Sequence, residues 1–262
     1  MFDTVTATRY IRFIGTGRTK PALMECERED GTLVEAIVKC SSGMMEGTRA
    51  LANEAICGML ARDLGLPIPE FFAVQVPRDF VAVVGDADQQ QAFSNSDPVA
   101  FGSRALPGGF AVWGRDQSVP ESLCDIAAEV FTFDAIVVNA DRRPENPNCL
   151  FSGAEIAIID HELCFTIELF WIAPWLPDGF KTRAASEAHI FAKPRLSRCP
   201  VELPRFEAAW KSITPERLNE YFHALPPSWA LPEDEQDRIK RLLLDAQANI
   251  GDIVRQSLGV LR

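Results

Sequence analysis

Asn139-Ala140-Asp141-Arg142-Arg143-Pro144-Glu145-Asn146, with Ile156-Ala157-Ile158-Ile159-Asp160-His161-Glu162 close behind it, is the stretch that decides how this chain is read. An aspartate is followed five positions later by an asparagine. A second aspartate stands fourteen further on, at the end of a short apolar run that reads as a buried strand. Phosphoryl transfer calls for these residue types. One carboxylate orients the attacking hydroxyl or accepts its proton, while an asparagine oxygen and a second carboxylate hold Mg²⁺ against the phosphates. A strand ahead of Asp160 would fix it rigidly, and a polar loop would let Asp141 face a cleft. Taken alone, the same letters also describe a solvated turn and an ordinary strand end, because a short motif specifies little.

Three upstream features add weight. Lys39 ends the apolar run Val34-Glu35-Ala36-Ile37-Val38-Lys39, where a lysine could reach ATP phosphates. Glu54, in Ala52-Asn53-Glu54-Ala55, lies on the following helix among apolar neighbours. A kinase needs such a strand-lysine and helix-glutamate pair. Gly15-Thr16-Gly17 stands between two strands, as a loop covering phosphates should, and no GxxxxGK[ST] loop occurs. A surface lysine, a surface helix charge and a plain β-turn are the common fates of such residues taken singly. Here the glycine loop, lysine, glutamate, hinge, D-x4-N and strand-end aspartate follow one another in the order that a two-lobed kinase requires.

The rest of the chain fits around these landmarks. Strands are expected at 5–14, 22–27 and 33–39, with Asp30-Gly31 as a hairpin turn. A helix is expected from Thr48 to Leu64, stopped by Gly65 and the rigid Leu66-Pro67-Ile68-Pro69, and then a strand at 71–76. The polar stretch 85–107 reads as a loop or insert, and 122–138 as a long apolar helix. After the loop 139–148 come short strands at 149–151 and 156–159, and then helices at 184–192, 204–212, 215–224 and 232–257. The expected class is α+β: a two-lobed, protein-kinase-like fold with a β-rich N-lobe over 1–80 and a mainly helical C-lobe over 81–262.

Composition sets outer bounds. The 262 residues, 47% hydrophobic and 24% charged, suit one large domain or two intimate lobes. A net charge of −11 argues against nucleic acid as a partner. No apolar run is long enough for a membrane span and no secretory signal shows at the start, so a soluble, cytoplasmic protein is expected. Seven scattered cysteines with no CxxC pair, and three histidines, offer no structural zinc site and read as buried thiols in a reduced compartment.

Gly17-Arg18-Thr19-Lys20-Pro21, Val38-Lys39, Ala52-Asn53-Glu54, Gly65-Leu66-Pro67-Ile68-Pro69, Asn139-Ala140-Asp141-Arg142 and Ile159-Asp160-His161-Glu162-Leu163 together resemble the HipA-like kinases, over about residues 8 to 166. That family is distantly related to the phosphatidylinositol 3/4-kinases. The resemblance implies that Lys39, held by Glu54, binds the α- and β-phosphates of ATP. It implies that Asp141 is the catalytic aspartate and that Asn146 and Asp160 are Mg²⁺ ligands. Gly15, Thr16, Gly17 and Lys20 would belong to the loop that covers the nucleotide. Transfer to a protein serine or threonine is implied, with Thr16 and Thr19 as candidate autophosphorylation positions and a regulatory partner protein as a possible companion. Arg143 stands where many relatives carry histidine, and arginine can position a phosphate but does not relay a proton near neutral pH.

Other readings keep a place. A Ser-His-Asp hydrolase would need His161, but no G-x-S-x-G elbow occurs, and His161 reads better as a packed residue bonded to the catalytic loop. His189 and His223 read as ordinary helix residues. Phe165, Phe170, Trp171 and Trp175 read as core or as a substrate surface. A small-molecule or lipid-headgroup kinase, or a nucleotide-binding pseudokinase acting as an interaction module, would use the same fold.

Overall fold

The computed structural model describes residues 2–15, 19–165, 189–192, 196 and 201–261. Five strands form a closed barrel: β1 (Asp3–Phe13), β2 (Ala22–Glu27), β3 (Leu33–Lys39), β4 (Phe71–Gln75) and β5 (Val99–Arg104), in the spatial order β1-β2-β3-β5-β4. All neighbours are antiparallel except β1 and β4, whose parallel pairing closes the ring. Period-two alternation builds it. Ala22, Met24 and Cys26 of β2 and Val34, Ala36 and Val38 of β3 are buried, while the residues between them are more open. The interior is narrow where Gly102 passes Ala36 and Val74. A Cβ on Gly102 would lie 2.6 Å from Val74 Cγ2 and 3.5 Å from Ala36 Cβ.

Helix α1 (Thr48–Asp63) is buried on every side from Ala50 to Ala61. Its end follows a Schellman pattern. Gly65 takes φ 68°, and Leu66 N–H donates to Ala61 O at 2.9 Å. The positive φ favours glycine there, and a Cβ would also push the Arg205 guanidinium aside, lying 2.6 Å from its Nη1.

The stretch expected as a loop over 85–107 is structured. After α2 (Arg78–Val83), helix α3 (Ala87–Ser94) is capped by Asp86, which accepts from Gln89 N–H, and β5 follows it. Val-Ala-Phe-Gly-Ser-Arg has weak intrinsic strand preference, and pairing with β3 and β4 on both sides supplies what propensity lacks.

A second, three-stranded sheet has the order β6 (Ala111–Val112), β7 (Cys149–Ser152), β8 (Glu155–Ile158). The later helices are α4 (Cys124–Ile136), α5 (Pro204–Lys211), α6 (Pro215–His223), α7 (Glu233–Ala248) and α8 (Ile250–Leu261). The single helix expected over 232–257 is two. Asn249 ends α7, its side-chain Nδ2 donating to Asp245 O at 2.8 Å, while its own carbonyl accepts from Asp252 and Ile253 N–H. The expected helix at 184–192 falls mostly outside the described residues, and its described end, 189–192, is a turn and bend. No described helix is long and apolar enough to cross a membrane.

The chain divides into two compact units. One comprises Met1–Met59, Pro69–Pro107 and Glu220–Leu231, so the barrel is completed by a late segment: Trp229 stacks on Phe2 at 6.4 Å, and its Nε1–H donates to Val99 O at 3.1 Å. The other comprises Leu60–Ile68, Gly108–Asn219 and Pro232–Arg262, with α4 at its centre and α8 packed against α4.

Among the described cysteines, 26, 40, 57, 149 and 164 are buried free thiols, and burial pushes Cys26 and Cys149 up to about 12. They are inert packing residues, as expected. Cys124 departs from the expectation, being disulfide-bonded.

Gly102→Ala will test the tightness of the barrel. The added methyl has no room, so the urea midpoint should fall by an amount equivalent to about 1–3 kcal/mol, with the slope of the transition unchanged.

Candidate active site

Alternation along β3 turns Val38 inward and Lys39 to the outer face of the barrel, where α1 supplies Glu54. Lys39 Nζ lies 2.5 Å from Glu54 Oε1, with side-chain exposures of 12% and 2%. Two charges this deep are stable only as a pair. At the mouth of the glycine-rich loop, Ile14 N–H donates to Pro21 O at 2.8 Å and Gly15 takes φ 76°. Thr16 and Gly17 lie outside the described residues. Lys20 takes φ 43°, its carbonyl accepts from Gln89 Nε2 at 3.3 Å, and its ammonium is 3.7 Å from Asp88 Oδ2.

The remaining candidates gather in the other unit, at the end of α4. That helix closes with the same Schellman bond as α1, here from Asn139 N–H to Asp134 O at 2.8 Å, but the left-handed position is occupied by Val138 at φ 61°. A β-branched residue in that region is strained. Asn148, Asp160 and Phe165 also have positive φ, at 44°, 63° and 61°. Such strain concentrates at functional sites, where surrounding bonds enforce it.

Those bonds radiate from Arg142, whose side chain is fully buried. Nε donates to Asp134 Oδ2 at 2.5 Å and Nη2 to Asp134 Oδ1 at 3.2 Å. Nη2 also donates to His161 Nε2 at 3.0 Å, and Nη1 donates to the carbonyls of Asn148 and Ile159. All five guanidinium N–H groups are thereby used. Because arginine can only donate, His161 Nε2 must be the accepting nitrogen. Burial by itself would raise the Asp134 carboxyl, but Arg142 and His189 outweigh it and hold the group well below the usual carboxylate range.

Arg142 thus frames the loop that carries Asp141. Arg143 and Asn146 exchange backbone hydrogen bonds across Pro144-Glu145, at 3.1 and 2.9 Å, and the fixed φ of proline suits that turn. Asp141 N–H donates to Asn139 Oδ1 at 3.1 Å. The Asp141 carboxylate accepts from Arg143 Nη2 at 3.0 Å, Asn146 Nδ2 at 2.7 Å and Asn148 Nδ2 at 3.2 Å. A carboxylate only accepts, so both amides turn their nitrogens to it and leave Oδ1 available. Asp160 follows at the end of β8, on backbone fixed by Arg142 through Ile159 O and by Ile159 N–H, which donates to Asn148 O at 3.0 Å. The amide oxygen of Asn146 and the carboxylate of Asp160 are hard donors of the kind Mg²⁺ takes, so the residues present fit that ion.

The structure therefore groups Lys39 with Glu54 in one unit and Asp141 with Asn146 in the other, where Arg142 also frames Asp160. His161 is packed and bonded to the loop, as expected. Asn148 shares Asp141 with Asn146. Two participants were missed. Asp134 gave a usable signal, an acidic residue in the apolar run Val130-Phe131-Thr132-Phe133-Asp134-Ala135-Ile136. His189, expected to be an ordinary helix residue, instead bonds Asp134 Oδ2 through Nε2 at 2.9 Å, and nothing local announces it.

Comparison with known proteins agrees with this chemistry. Residues 8–255 match the family described as HipA-like kinase, and the chain belongs to that family of kinases. The match extends well beyond residue 166 into the helical C-terminal part. The fold is similar to that of a crystal structure of the proinflammatory kinase CtkA from Helicobacter pylori, with a TM-score of 0.53 at 11% identity and 98% of each chain covered. At that identity the likeness is one of fold. No curated protein matches the chain.

Removing the guanidinium should be severe. Arg142→Met leaves the Asp134 charge buried without its main partner, a loss of about 3–5 kcal/mol in urea denaturation. The depressed Asp134 group also predicts a pH dependence. Its contribution is complete above its unfolded value of about 3.9 and is lost as pH falls towards the lower folded value. Asp134→Asn should accordingly be less stable at pH 7 and show a flatter decline in stability below pH 4 than the parent.

Proposed function

We propose that this kinase transfers the γ-phosphoryl group of ATP, with Mg²⁺, to a serine or threonine hydroxyl of a protein, and that the two compact units are its N- and C-lobes. The observation that carries the reading is the Asp141 carboxylate bonded to both asparagine amides of its own loop, with an oxygen of Asn146 left for a cation. The buried Lys39–Glu54 pair supports it independently.

Each residue has a distinct task. Lys39, oriented by Glu54, binds phosphate oxygens. The main-chain N–H groups and Lys20 of the glycine-rich loop add donors and charge. Asp141 receives the acceptor hydroxyl and orients its oxygen for in-line attack; the three donors on this carboxylate fix its direction. Arg143, half-exposed beside Asp141, brings positive charge to the place where the phosphoryl group passes. Asn146 and Asp160 would hold Mg²⁺, which when bound neutralises phosphate charge. Membership of the HipA-like family supports both ATP as donor and a protein hydroxyl as acceptor.

Thermal unfolding with and without Mg²⁺-ATP tests the nucleotide site. Ligand at a hundred times its dissociation constant adds about 2.7 kcal/mol to the folded state, so the melting temperature of the parent should rise by several degrees. Asp160→Asn should lose the Mg²⁺-dependent part of that rise. An unshifted parent at millimolar ATP would overturn the reading. Asp141→Asn should keep the shift while its turnover falls by at least about a hundred-fold; mass spectrometry for phosphoserine or phosphothreonine after incubation with ATP follows the product.

A further inference from the structure

Asp134 accepts from Asn139 Nδ2 at 2.9 Å as well as from Arg142, and it has a further partner on a segment far along the chain. His189 Nε2 lies 2.9 Å from Asp134 Oδ2, and Phe191 N–H donates to His189 Nδ1 at 3.0 Å. Since Nδ1 accepts, Nε2 carries the proton and donates it to Asp134. The ring is set by edge contacts with Phe131, at 5.1 Å between centroids, and by a tilted contact with Phe191 at 5.8 Å. Directly beside it, Ile190 N–H donates to the carbonyl of Arg142 at 3.2 Å. The turn over 189–192 therefore grips Arg142 at both ends: its main chain directly, and its guanidinium through Asp134.

We propose that His189 is a positioning residue for phosphoryl transfer, orienting Asp134 so that Arg142 holds the Asp141 loop in one conformation. The proposal rests on the phosphotransferase reading for its consequence in turnover, but not for its consequence in loop order. Asp134 needs both of its oxygens correctly aimed, because Arg142 takes one N–H bond to each. Without His189, Oδ1 keeps its bonds from Arg142 and Asn139, but Oδ2 is left with Arg142 Nε alone, and the loop built on Arg142 shifts with the loosened carboxylate. Displacements of that size near reacting atoms reduce turnover strongly.

The test compares His189→Phe, which keeps an aromatic ring against Phe131 and Phe191 but removes the donor, with His189→Gln, whose amide can still donate to Asp134. Deuterium uptake by peptides covering 139–149 and steady-state kinetics are measured on the full chain. For the phenylalanine variant we expect faster uptake in those peptides and a kcat lowered on the order of ten- to a hundred-fold, with KM for ATP within about twofold, because Lys39 and Glu54 are untouched. Glutamine should restore most of both. A phenylalanine variant with parental uptake and kcat would overturn the proposal, as would a glutamine variant damaged equally. If the parent protein showed no turnover, the phosphotransferase reading would fail while uptake alone still decided the positioning role. Should the phenylalanine variant not fold, His189→Ala carries the same comparison.

Discussion

A guanidinium has five N–H groups and no way to lose its charge, so burying one demands that every donor find an acceptor. Arg142 meets that demand by gathering Asp134 from the end of α4, the carbonyls of Asn148 and Ile159 and the ring of His161. Leaving any of them would expose a buried ion to a penalty of several kcal/mol. The loop that carries Asp141 is consequently shaped by charge satisfaction more than by apolar contact. Its own residues are largely open to water: Arg143, Glu145 and Asn146 are exposed, while Asp141 and Pro144 are only partly covered. What keeps such an open loop in one shape is the buried ion beneath it.

Lys39 and Glu54 meet the same demand in the other unit, by pairing. The barrel's alternation directs the lysine outward, and a helix buried all round brings a carboxylate to meet it. Arg142 donates every guanidinium N–H to protein acceptors. Val138, Asn148, Asp160 and Phe165 all lie within or beside the region Arg142 organises, where the density of fixed bonds can sustain the strain.

Much of this was legible in the sequence because the relevant patterns are local. Strands β2 and β3 fall where alternation and an Asp-Gly turn placed them, and α1 runs from Thr48 to a glycine stop. The residues of the Asp141 loop stood out because the chemistry expected of them is specified by type and spacing. The failures have a common cause in distant partners. Strand β5 exists because two neighbours supply hydrogen bonds, and its glycine, which weakens a strand in isolation, is demanded by the crowding of Val74. Asp134 and His189 are 55 positions apart, so neither carries a trace of the other. The break at Asn249 depends on a single side chain competing for main-chain bonds inside an otherwise unbroken helical pattern.

The interleaving of the two units has its own consequence for biosynthesis. The barrel's strands are all made by residue 104, yet Trp229, which covers Phe2 and bonds Val99, emerges more than a hundred residues later. During translation the barrel must wait with an aromatic patch bare, and the ribosome releases the segment that seals it only after most of the other unit has been made. A truncated N-terminal fragment would be stranded permanently in that half-finished condition. The barrel is therefore sealed late in synthesis, although all of its strands are made early.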